Sequence, residues 1–97
     1  MIRREGDQLV VEGSVTLANV MQLIDAGSRE VLAGARRVNL AAVTELDSGA
    51  LAMLLAWRRT AVANQADLAF EGVGPDLVSL ADLYGVEVLL PLNAGTA

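Results

Sequence analysis

The chain has 97 residues, 54% of them hydrophobic and 20% charged, and carries a formal net charge of −5. It contains no cysteine and no histidine, and its seven basic residues are all arginine. This composition excludes disulfides and thiolate metal sites and removes the commonest general base; it also argues against a nucleic-acid surface, which needs clustered cations.

The length suits one domain with a single compact core of aliphatic side chains. The amino-terminal MIRREGDQ has no apolar stretch of the kind a signal peptide needs. The longest apolar run, Ala50 to Trp57, is far shorter than the roughly 20 residues of a membrane span. A cytoplasmic domain with no membrane insertion is expected.

Ile2 to Arg4 and Leu9 to Glu12 flank Gly6-Asp7-Gln8 and read as a hairpin, which Gly13-Ser14 then interrupts. Thr16 is placed to cap a helix whose apolar positions are Leu17, Val20, Met21, Ile24, Val31 and Leu32. Gly27 inside it costs about 1 kcal/mol relative to alanine and marks a point for fraying or a break. Val38 to Val43 is short and apolar, a buried strand near the sheet centre. A second helix runs from about Gly49 to Ala63, and Leu68 to Glu71 is the next strand. Pro75 suits the first position of a third helix, with Leu77, Leu80, Ala81 and Tyr84 on one stripe and Gly85 as its stop. Val86 to Leu90 is the last predicted strand, and 93–97 a disordered tail. Alternating strands and helices imply a largely parallel sheet with right-handed crossovers, made mixed by the first hairpin.

Gly72-Val73-Gly74, between a strand and a helix, invites a dinucleotide-binding reading. The third glycine of that pattern would fall at position 77, which is Leu77, so a tight turn is the better account. The acidic residues are spread singly, and neither a catalytic residue, a cofactor nor a metal is expected. Leu46-Asp47-Ser48-Gly49 is more informative. Ser48 can cap the second helix, Asp47 complements the positive end of its dipole, and Gly49 allows another chain to approach closely. On that helix Leu51, Leu54, Leu55 and Val62 form the side expected to meet the sheet. Gly49, Ala52, Met53, Ala56, Trp57 and Thr60 form the opposite side, with too little charge for a face in water. The expected partner-binding residues are therefore Asp47, Ser48, Gly49, Ala52, Met53, Ala56 and Trp57. A rotation that turns Trp57 into the core is the alternative.

Asp47-Ser48-Gly49-Ala50-Leu51, following the apolar strand Val38 to Val43, resembles the signature of STAS domains (sulfate transporter and anti-sigma factor antagonist). The resemblance covers essentially the whole chain. It implies a single α/β domain over residues 1–92, with a mixed, mostly parallel sheet of about five strands and about three helices packed mainly on one face. Leu51 to Leu55, Phe70 to Val73 and Leu80 to Val86 look like the STAS subunits of inner-membrane phospholipid-transport ABC complexes, which maintain outer-membrane lipid asymmetry in Gram-negative bacteria. Leu80-Ala81-Asp82-Leu83-Tyr84 is the more discriminating segment. That likeness implies a non-enzymatic role in which the second helix contacts the ATPase subunit. The turn hydroxyl there is a threonine, so Ser48 is a conservative departure. In the anti-sigma factor antagonists the hydroxyl residue after the aspartate is phosphorylated by a kinase partner, which would make Ser48 the modified residue. Those antagonists usually carry a second small hydroxyl residue before the glycine, whereas Gly49 follows Ser48 directly.

Overall fold

The computed structural model describes residues 1–86. Its elements, in chain order, are β1 (Ile2–Glu5), β2 (Gln8–Val15), α1 (Val20–Leu32), β3 (Arg37–Leu46), α2 (Ser48–Ala63), β4 (Ala69–Glu71) and α3 (Pro75–Leu83). Among the described residues the sheet has four strands in the order β1-β2-β3-β4. β1 and β2 pair antiparallel, while β2–β3 and β3–β4 are parallel. This is the expected α/β class with a mixed sheet. The predicted strand from Val86 to Leu90 and the predicted tail lie outside the described residues, except for Val86, which is not in a strand.

Two strands outrun their expected ends. β2 continues through Gly13-Ser14 to Val15, because β3 continues beside it and Val15 pairs with Leu46. Two irregularities in this pairing add residues to β3, and the Asn39 side chain accepts the Ala41 N–H at 2.9 Å beside the first. The shift breaks the alternation of Ala41 to Glu45, which is why the sequence pattern stops early.

Leu9, Val11, Val38 and Phe70 project from the sheet into one apolar core shared with all three helices. Within the helical layer α2 lies between α1 and α3. The outer face is charged: Arg3 pairs with Glu5 and Glu12, and Arg37 pairs with Asp7 and Glu71. Hydrogen bonds donated to Glu5 and then Glu12 raise the Arg3 pKa further, and those donated to Asp7 do the same for Arg37.

α1 begins later and turns differently than its sequence suggests. Residues 16–19 form a turn, in which Asn19 donates its side-chain amide to the Ser14 carbonyl and accepts the Thr16 N–H. The helix starts at Val20, so Thr16 is not its cap. Its buried stripe is Val20, Leu23, Gly27 and Val31, leaving Leu17, Met21 and Leu32 in solvent. The helix is also unbroken at Gly27.

α3 matches expectation more closely. Pro75 is in its first turn, Leu77 and Ala81 are buried, and Gly85 follows its end at φ +69. The Gly85 and Val86 N–H groups then close on the carbonyls of Asp82 and Ala81. Tyr84, placed on the same stripe by sequence, is exposed. α2 ends in the same kind of cap, but its left-handed residue is Gln65, at φ +58. Gln65→Gly is therefore expected to stabilise the domain by about 0.5–1 kcal/mol, visible as a higher midpoint in urea unfolding.

Candidate partner-binding site

The turn between β3 and α2 is built around Asp47. Its backbone is extended and its carboxylate accepts the Gly49 N–H at 2.7 Å, so Asp47, and not Ser48, is the N-cap of α2. The same carboxylate accepts the Leu17 N–H at 3.1 and 3.2 Å. One side chain thus caps α2 and ties the turn before α1 to it. Asp47→Ala is expected to cost about 1–2 kcal/mol, while Asp47→Asn keeps most of that because asparagine caps nearly as well. Faster hydrogen exchange at the Leu17 and Gly49 amides in the alanine variant would check the double role.

Ser48 occupies the first helical position and is half-buried. Its hydroxyl is left free of any hydrogen bond among the described residues. A phosphate there would add about −1.5 to −2 charges beside the Asp47 carboxylate, at the positive end of the α2 dipole.

Gly49 is buried for a reason internal to the chain. A Cβ there would sit 2.9 Å from the Leu17 nitrogen, the Thr16 carbonyl carbon and Asp47 Oδ1. The space that was read as an approach for another chain is filled by residues 16–17.

The rotation of α2 corrects two further expectations. Met53 and Trp57 are fully buried and belong to the core, not to an exposed face. The indole Nε1–H donates to the Ile24 carbonyl of α1 at 3.1 Å. Its ring lies where a side chain at Gly27 would be: a Cβ there would come within 2.1 Å of Trp57. Gly27 is the socket for Trp57. Trp57 thus fills the seam between α2 and α1, while Met53 is buried elsewhere in the core, as expected of a central helix covered on more than one side. Val62, assigned to the sheet side, is instead exposed.

Of the seven expected partner-binding residues, Ala52 is exposed and Asp47, Ser48 and Ala56 are half-buried, while Gly49, Met53 and Trp57 are interior. The structure brings two others to the same end. Leu17, 66% exposed, is held against Asp47, and Met21, 68% exposed, follows it by one helical turn. Both had been assigned to the core stripe. The spacing Val20, Leu23, Gly27, Val31 would have revealed them, had Gly27 been counted as a buried position. Leu17, Met21, Ser48 and Ala52 thus all lie towards the amino-terminal ends of α1 and α2, where Leu17 is tied to the turn before Ser48.

On the other side of α2 a cavity of about 200 Å³ opens between β3, α2 and α3. Leu40, Val43, Met53 and Leu77 line its apolar part, and Thr44, Glu45 and Asp76 its polar part. Among the described residues, no group of three or more acidic side chains gathers closely enough to hold a metal ion.

A family model described as "Mlab, STAS domain" matches residues 1–91. The chain belongs to this STAS family. STAS domains are regulatory or binding modules that act on partner proteins. The STAS fold is also found in the solved structure of the anti-sigma factor antagonist SpoIIAA in its unphosphorylated form. That structure superposes with a TM-score of 0.65 at 16% identity, covering 86% of this chain and 81% of that one. No curated protein matches this STAS sequence. Among the described residues, no helix of this STAS domain is long and apolar enough to cross a membrane.

Proposed function

We propose that this STAS domain is a non-enzymatic subunit that binds the ATPase subunit of an inner-membrane phospholipid-transport ABC complex. In that role it stabilises or regulates the ATPase from the cytoplasmic side, and the complex maintains outer-membrane lipid asymmetry. The observation that carries the reading is the apolar pair Leu17 and Met21, exposed beside Ser48 on the one end that Asp47 holds together. The family match over nearly the whole chain supports the choice of partner. Exposed apolar patches rimmed by polar residues mark sites of protein interaction. Affinity purification of the full chain from native membranes tests it. Co-purification with an ATPase and a permease is the expected result; a clean monomer without either would overturn it.

A second reading rests on Ser48, whose hydroxyl is half-exposed and uncommitted while Asp47 does the capping. In it the domain is an anti-sigma factor antagonist, released from its kinase partner when Ser48 is phosphorylated. The likeness of fold to SpoIIAA is compatible with this reading. Incubation with an anti-sigma kinase and ATP, followed by mass spectrometry of the turn, decides it. Absence of phosphate at Ser48, where a control antagonist is modified, counts against it.

A further inference from the structure

We infer that the partner meets the amino-terminal ends of α1 and α2 with a cationic rim around an apolar socket. This rests on the partner-binding reading above and adds the chemistry of the partner's surface.

The apolar centre is Leu17 and Met21 with the exposed Ala52. The charges left free at the same end of the helical layer are of one sign. Asp25 follows Met21 by one turn of α1, and on the far side of Ser48 the exposed Glu45 and Asp76 flank the mouth of the cavity. None of the three forms an ion pair among the described residues. The arginines lie elsewhere or are engaged. Arg3, Arg4 and Arg37 are in ion pairs. Arg36 donates to the Val31 and Ala35 carbonyls past the end of α1. Arg29 is in the last turn of α1, and Arg58 and Arg59 are in the second half of α2. The three helices follow parallel strands and so share one amino-terminal end, which is left acidic.

Helix electrostatics account for part of this arrangement. Asp47 caps α2 and Asp76 is in the first turn of α3, where carboxylates are favoured by the fold itself. Asp25 is mid-helix and Glu45 is in β3, so neither is explained that way. The charge pattern also selects the occupant. A second copy would set like charges against each other, and an anionic lipid surface or nucleic acid would be repelled. A protein bearing arginine or lysine around an apolar pocket satisfies both features.

The test uses the full chain and the purified ATPase subunit of a phospholipid-transport ABC complex, with binding kinetics followed as salt rises from about 50 to about 500 mM. The association rate is expected to fall about tenfold or more across that range. Glu45→Arg combined with Asp76→Arg should slow association at low salt. Met21→Ser should instead speed dissociation at every salt concentration. All these positions are exposed, and unchanged Trp57 emission will report that each variant is folded. An association rate indifferent to salt and to the charge reversals, with Met21→Ser still weakening the complex, overturns the cationic rim alone. Self-association of the wild-type chain through this face, lost in Met21→Ser, overturns it as well. If the wild-type chain binds neither this subunit nor an anti-sigma kinase, the partner reading itself fails and the inference falls with it.

Discussion

Gly27→Ala is expected to lower the melting temperature by roughly 8–16 °C, against the direction that helix propensity alone would give. Propensity favours alanine over glycine in mid-helix by about 1 kcal/mol. The new Cβ, however, would lie 2.1 Å from two ring carbons of Trp57, itself wholly buried and anchored to the Ile24 carbonyl. Relieving such a clash costs about 3 kcal/mol at the upper end of ordinary overpacking. The net loss is then about 2 kcal/mol, and a domain of this size loses roughly 4–8 °C per kcal/mol. Thermal unfolding followed by circular dichroism measures it. Adding Trp57→Phe should restore part of the loss, because the phenyl ring lacks the atoms that would collide. Trp57→Ala alone should cost about 3–5 kcal/mol, a large share of the total stability of a domain this small. A rise in melting temperature for Gly27→Ala would mean that Trp57 does not sit against Gly27.

The second large effect concerns binding. Leu17→Ser together with Met21→Ser is expected to weaken partner binding about 100-fold, as loss of interface anchors does. Both side chains are about two-thirds exposed, so folding stability should change by no more than about 0.5 kcal/mol per site. Titration calorimetry against the partner and denaturant unfolding of the free domain together check the separation. Equal affinity for the variant would remove the amino-terminal ends of α1 and α2 from the interface. Ser48→Glu is also expected to weaken binding, because it places a charge at the apolar centre that contact would desolvate. Either partner predicts that outcome, so it tests the surface and not the partner's identity. Trp57 variants should affect binding only as far as they unfold the domain.

The architecture was largely legible in the sequence because it depends on local signals. Gly6-Asp7-Gln8 between two short runs marked the hairpin, Pro75 and Gly85 bracketed α3, and the order of elements implied parallel crossovers. Asp47-Ser48-Gly49 was recognisable as a helix start for the same reason. What misled the reading was rotation. α2 is apolar around most of its circumference, so Met53 and Trp57 could be turned outward without violating its own pattern. Arg58, which that rotation placed in the leucine stripe, was the one discordant sign.

The sequence by itself determined the class of fold, the absence of histidine and cysteine chemistry, and the position of the turn that opens α2. Those follow from composition and from neighbours along the chain. Only the tertiary structure decided which face of α2 is interior, since that is set by α1, where the missing side chain of Gly27 makes room for Trp57. It likewise decided that Asp47 and not Ser48 caps α2, and that Leu17 and Met21 stand in solvent. The bond from the Leu17 N–H to the Asp47 carboxylate spans 30 residues of chain, and no periodicity along one helix encodes a contact of that range.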